Sequence, residues 1–257
     1  MPNQLAAQMY TLREFTKTPA DIAKTMQRVR DIGYTAIQRS AFGPVDPKDF
    51  RKMLDDNGLA CCATHVGLEV MRDNTQQVID EHKLWGCELT AIGGYFPKAP
   101  EFTLEAWQTF IKGFNAVAEK FKGSGLRIGY HNHSHELAKI PGTDQTAYAM
   151  LVEKLTHDVW IEVDTYWIQH GGGDPAWWID RVAGRLPAVH LKDLGMKTDR
   201  TQFMMEVGQG NLNWDAILAA CKRAGTRWYI VEQDTCYRDP FESLKISYEF
   251  LASKGLK

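Results

Sequence analysis

The chain has 257 residues, enough for one large domain with a substantial buried core, expected here as a single unit over 1–257. Its 30 Lys and Arg nearly cancel its 32 Asp and Glu, and the resulting charge of −2 argues against a phosphate-tracking, nucleic-acid-binding surface. No apolar run approaches the roughly 18 residues of a membrane span, so a membrane role is not expected either.

In chain order, short apolar runs alternate with amphipathic ones. Leu5–Tyr10 reads as the first strand, and Pro19 opens a helix that Gly33 ends. A second strand, 36–40, precedes a helix opened by Asp46-Pro47 and closed by Asn57-Gly58. Strand 59–65 leads to helix 74–85, strand 88–92 to the long helix 104–121, and strand 126–131 to helix 144–155. Strand 160–164 is followed by a helix from Asp174-Pro175 to about Gly184. Strand 188–191, a long unassigned stretch from Lys192 to Asn213 and helix 214–224 come next. Strand 228–232 and a helix from Asp239-Pro240 to about Ser253 complete the series. Eight strands alternating with eight helices predict an α/β chain of parallel strands, and at this length a (β/α)8 TIM barrel. No Gly-rich fingerprint follows an early strand, which removes the main support for a dinucleotide-binding fold.

The five cysteines are odd in number and lack paired-ligand spacing, so buried thiols in a reducing, cytoplasmic compartment are expected. The start, Met1–Gln4, lacks a signal-peptide layout. Five of the eight histidines (His65, His131, His133, His135 and His190) fall at or just past a strand end, where a barrel carries its chemistry. Period-two alternation sends Ile161 and Val163, Val189 and Leu191, and Tyr229 and Val231 outward. It thereby turns Asp164, His190, Lys192 and Glu232 inward, with His131 from strand five. His131, Asp164, His190 and Glu232 make the outline of a divalent-metal site, because two inward carboxylates need a cation to offset repulsion and desolvation. Glu162 is expected one layer deeper. Taken alone, each such residue is a polar group lining a barrel mouth.

At these residues the sequence resembles the xylose isomerase-like TIM barrel superfamily, the sugar phosphate isomerase/epimerase group. The matching segments are Gln8–Arg13, Tyr130–His133, Glu162–Trp167, Val189–Asp193 and Val231–Asp234. The resemblance implies one divalent ion, Mn²⁺ first and Co²⁺, Zn²⁺ or Mg²⁺ as alternatives. Asp164, His190 and Glu232 match the ligand types, whereas His131 stands where the group usually has a carboxylate. It also implies a small carbohydrate substrate and sugar isomerase or epimerase chemistry through a metal-stabilised enediolate. In such epimerases two metal-bound glutamates exchange a proton on opposite faces, and only Glu232 of that pair is present. A β-eliminating lyase or dehydratase on a 3-keto-glycoside or inosose is therefore the alternative.

In this scheme Glu232 removes the proton, and Lys192, His133 or Glu136 carries the second one. Lys192 and His65 stabilise enediolate oxygens, although Lys192 equally suits pairing with Asp164 or Asp193. Gln8, Tyr10, His65, Asn132 and Trp167 are the candidate substrate-binding residues, with Tyr10, Trp167 and Phe42 as an apolar wall. The stretch from Lys192 to Asn213 reads as a lid or binding loop, whose Gly208 and Gly210 weakly suggest a phosphate cradle. Arg39 and Arg200 are expected mainly as solvated surface groups, with an acidic ligand as the sharper alternative. Trp177 and Trp178 suit packing or a homo-oligomer contact. A DNA-acting member of the wider superfamily would need a basic groove, which the charge opposes.

Overall fold

The computed structural model describes residues 4–98 and 100–257; the reading of the chain start falls largely on residues 1–3, outside that range. Eight parallel strands close into a barrel: β1 (Leu5–Gln8), β2 (Ala36–Arg39), β3 (Ala60–His65), β4 (Leu89–Ile92), β5 (Arg127–His131), β6 (Trp160–Asp164), β7 (Ala188–Leu191) and β10 (Trp228–Val231). The ring closes where β1 pairs with β10, with Ala6 opposite Ile230. Between β7 and β10 an antiparallel hairpin, β8 (Asp193–Met196) and β9 (Gln202–Met205), occupies the stretch that sequence alone left without an element. The major helices are α1 (Pro19–Ile32), α2 (Pro47–Asn57), α4 (Thr75–Trp85), α5 (Leu104–Phe121), α6 (Ala147–Lys154), α8 (Pro175–Arg181), α9 (Trp214–Ala224) and α10 (Pro240–Ser253). Two short helices, α3 (Leu68–Asp73) and α7 (Thr165–His170), follow the tips of β3 and β6.

Local chemistry explains why the helix starts were legible. Thr18, Asp46, Asp174 and Asp239 each cap a helix whose next residue is proline, and each side chain accepts backbone N–H bonds from the first turn. Gly58 ends α2 at φ 58°, the left-handed conformation that costs glycine nothing. β1 is shorter than expected because Gln8 accepts the backbone N–H of Tyr10, which starts a 3-10 turn at Met9. α6 likewise starts at Ala147 rather than 144, capped by Thr146.

The alternation holds in the packing. Leu5, Ala7, Ile37, Ile128, Tyr130, Ile161, Val163, Val189, Leu191, Tyr229 and Val231 join the apolar layer between barrel and helices. Ala6, Ala36, Cys62, Ala63, Leu89, Ala91, Trp160, Ala188 and Ile230 fill the barrel interior. The interior is built from alanines, Cys62, Leu89 and Ile230 around one fully buried tryptophan, with the partly buried Trp228 packed against it. The fully buried Trp160 indole lies against Gly129, where an added Cβ would fall 2.4 Å from the ring. Its Nε1–H donates to the carbonyls of Thr90 and Arg127 at 3.1 and 3.2 Å. The polar inward residues lie above this plug.

Candidate active site

His131 ends β5, Asp164 ends β6, His190 lies on β7 and Glu232 follows β10, all four buried, and one ligand atom from each lies within 4.8 Å of the others. Strand ends position them and hydrogen bonds lock them. Asn132 Oδ1 accepts the Asp164 N–H at 3.0 Å, joining the tips of β5 and β6. The Thr165 hydroxyl donates to the Lys192 carbonyl at 2.8 Å and accepts the Lys192 N–H at 3.0 Å, joining β6 to β7. Asp164 divides its carboxylate: Oδ1 caps α7 through the Trp167 N–H at 2.9 Å, and Oδ2 faces the mouth 3.2 Å from His131 Nε2.

Lys192 is the charge partner of this mouth. Its ammonium, 1% exposed, lies 2.8 Å from Glu232 Oε2, 3.0 Å from Asp164 Oδ2 and 3.1 Å from Asp234 Oδ2. Burial alone would lower its pKa, but the three carboxylates together hold it well above the ordinary lysine value. Burial, the largest single influence, opposes ionisation of Asp164 and Glu232, but Lys192 together with His131 and His190 outweighs it, keeping both below the ordinary carboxylate range. Asp234 is pushed up to about 6 by burial and by repulsion from Glu232. His133 is lowered to about 2, first by burial and then by His131 and Lys192, so its imidazole is neutral.

The donor set fits a divalent cation. Among the described residues, four buried side-chain nitrogens that lack a hydrogen-bond partner cluster here: His131 Nδ1, His133 Nδ1, Trp167 Nε1 and His190 Nδ1. Such a concentration marks a place where the protein's own groups do not satisfy one another. His190 Nδ1 and Glu232 Oε2 are 2.8 Å apart without making a hydrogen bond. Two imidazoles and two carboxylates could bind a metal ion.

The cavity above them, about 310 Å³, is lined by Tyr10, Ser40, His65, Gly93, Phe96, His131, His133, Lys192, Glu232 and Asp234. Thus Tyr10, His65 and His133 reach it as expected from sequence. Trp167 stands behind His133, ring centroids 5.1 Å apart, and Lys192 Nζ lies 5.5 Å from the centroid of its ring. Like Trp167, three further expected residues do not line the cavity. Gln8 is fully buried and donates to Gln38 Oε1 at 2.8 Å. Asn132 is spent on Asp164 and on the His133 carbonyl. Glu136, a candidate proton carrier from sequence, is fully buried, accepting the Tyr130 hydroxyl at 2.8 Å and the His133 N–H at 2.9 Å.

Other expectations are corrected too. Phe42 packs edge-on against Phe50 away from the cavity, and the exposed Phe96 takes its place, 4.9 Å from the His133 ring. Arg39 is only partly exposed rather than a free surface group; its guanidinium lies 5.2–5.6 Å from the rings of Phe42, Phe50 and Trp85. The amides of Gly208 and Gly210 are not free for phosphate, because Asp193 Oδ2 accepts both, at 2.9 and 3.1 Å. Trp178 is buried and Trp177 half exposed. Asp234, Ser40 and Phe96 were missed, although Asp234 sits two residues past Glu232 on the same strand end.

Comparison with known proteins agrees with this architecture. An inosose dehydratase of Serratia proteamaculans is 24% identical over 249 residues, covering 82% of each chain. One of Geobacillus kaustophilus is 22% identical over 266 residues, covering 89% of this chain and 85% of the relative. A solved sugar phosphate isomerase/epimerase from Parabacteroides distasonis superposes with a TM-score of 0.82 at 23% identity, over 100% of this chain and 96% of that one. An L-ribulose 3-epimerase superposes at 0.73 with 17% identity, over 98% and 94%. The family model of the xylose isomerase-like TIM barrel matches residues 26–254, and the chain belongs to that family.

Proposed function

We propose that the protein is a divalent-metal-dependent enzyme that removes the proton beside a ketone of a small sugar or cyclitol and eliminates the β-oxygen substituent. The observation that carries this reading is the asymmetry of the mouth. Glu232 is a carboxylate at the cavity, and His131, on the far side, stands where two-face proton exchange would need a second one. His131, Asp164, His190 and Glu232 would hold the ion, Mn²⁺ being the first choice. Bound there, a divalent ion supplies Lewis acidity that acidifies the C–H next to the ketone.

The chain's own residues do the rest. Glu232, kept ionised by Lys192 and His190, takes the proton. The C–H electron pair becomes the new double bond as the β C–O bond breaks. The carboxyl of Glu232 then returns its proton to the departing oxygen, so one group serves a syn elimination and water or an alcohol leaves. The Lys192 ammonium stabilises charge growing on the substrate oxygen, and neutral His133 offers a hydrogen bond. Tyr10 and Phe96, at the cavity rim, suit the apolar face of a sugar ring. The similarity to inosose dehydratases supports elimination, and the epimerase neighbours support proton abstraction beside a carbonyl.

Incubation with Mn²⁺ in D₂O, against inososes, 3-keto-glycosides and ketoses, tests this by NMR. Loss of water or aglycone from a keto substrate is the expected result. Deuterium exchanged into a recovered isomer would instead establish isomerisation, and no conversion of any substrate would overturn both. Glu232→Gln is expected to lower kcat by about 10²–10⁴-fold.

A further inference from the structure

Beneath the mouth lies a second polar layer that the proposed chemistry does not use. Glu162 on β6 is fully buried, and its two oxygens face two different partners. Oε2 is 2.7 Å from His65 Nε2, and Oε1 accepts the Gln38 side-chain N–H at 2.8 Å. Gln38 Oε1 in turn lies 2.5 Å from His190 Nε2 and accepts from Gln8 Nε2 at 2.8 Å. His190 Nε2 is also 3.3 Å from Glu162 Oε1.

The logic of donors and acceptors runs one way through this layer. An ionised carboxylate only accepts, so His65 must present Nε2–H to it and Gln38 must present its NH₂. That fixes the Gln38 oxygen toward His190, which must then present Nε2–H as well. One carboxylate thereby specifies the tautomer of two imidazoles. Each is left with Nδ1 facing upward: His190 Nδ1 lies 2.8 Å from Glu232 Oε2, and His65 lines the cavity. The geometry points to Glu162 as a positioning residue that, through Gln38, commits Nδ1 of His190 to the ion and Nδ1 of His65 to the cavity. The part concerning His190 rests on the metal reading of the mouth, because without an ion the Glu232 carboxylate 2.8 Å from Nδ1 calls for a proton there too; the His65 tautomer does not rest on it.

The test uses the full chain with ¹⁵N-histidine labelling and Mn²⁺ titration. In the wild type loaded with diamagnetic Zn²⁺, long-range ¹H–¹⁵N spectra should show the Nε2–H form for both His65 and His190. Glu162→Gln should disturb both rings and weaken Mn²⁺ binding by about 10- to 100-fold, the range usual for loss of a ligand's outer partner. Gln38→Leu, which keeps the buried charge, should disturb His190 and Mn²⁺ affinity while leaving His65 in its Nε2–H form. Unchanged spectra and affinity in both variants would overturn the proposal. So would two Mn²⁺ per chain with the second lost in Glu162→Gln, because His65, Glu162 and His190 would then themselves hold an ion. A wild type that binds neither Zn²⁺ nor Mn²⁺ overturns the role toward the ion, while the His65 spectrum still decides its tautomer whatever substrate the enzyme takes.

Discussion

At the scale of single residues, the mouth is held by an ammonium where an ion would bring more charge. Removing Lys192 leaves Asp164, Glu232 and Asp234 facing one another without a nearby lysine cation. Lys192→Met is therefore expected to destabilise the metal-free protein by about 3–5 kcal/mol, the cost of breaking a buried ion pair from one side. Added Mn²⁺ should recover much of that loss, as read from thermal melts with and without the ion. Equal destabilisation in both would show that the ion does not take over the lysine's charge. Lys192, Asp164 and Glu232 were legible because strand ends and period-two alternation place inward residues without reference to the rest of the chain; Asp234, beyond the end of β10, was not. Glu136, Asn132 and Gln8 were misplaced for the opposite reason. Position at a strand tip does not reveal that Tyr130, Asp164 and Gln38, from elsewhere in the chain or around the barrel, will consume their hydrogen-bonding capacity.

At the scale of elements, buried polar groups tie helices and loops to the barrel. His82 on α4 donates Nδ1–H to the Val78 carbonyl at 2.6 Å, and its Nε2 lies 2.7 Å from the Thr64 hydroxyl on β3. Burial lowers its pKa to about 4 from 6.5. Between those values the unfolded chain binds the extra proton, so stability is full above about 6.5 and falls as pH drops toward 4, by about 3 kcal/mol. His82→Gln, which can keep both contacts, should flatten that slope, as measured by urea unfolding at neutral and mildly acidic pH. The loop after the hairpin depends on Asp193, whose carboxylate accepts the N–H groups of Leu194, Gly208, Gly210 and Leu212 and the Trp214 indole N–H at 2.6 Å. Asp193→Ala should cost about 3 kcal/mol or more and open residues 206–214 to limited proteolysis. Neither device was legible. Lys192–Asn213 carries no period long enough to declare a hairpin, and α7 went unseen because Asp164, read as a ligand, is also its cap.

At the scale of the whole molecule, the regular alternation of strand and helix was what the sequence encoded most openly, through capped Asp-Pro starts and glycine stops. The seam that closes the ring was not encoded locally. There Arg13 donates to the Asp234 carbonyl at 3.0 Å, and the Gln233 N–H donates to the Thr11 hydroxyl at 3.0 Å. An ion shared by β5, β6, β7 and the end of β10 would act across half the ring at once. Chelation of the metal-loaded protein is expected to lower Tm by roughly 5–10 °C when the ion had been present at about 100 times its Kd. A melting temperature indifferent to EDTA and to added Mn²⁺ would contradict a resident ion.

The indole of Trp160, seated against Gly129, seals the barrel from below. The cavity thus lies on the opposite side of that plug, with Tyr10 and Phe96 among its lining. If substrate and product share that approach, as the proposed reaction requires of a plugged barrel, accumulated product should slow turnover by competing with substrate.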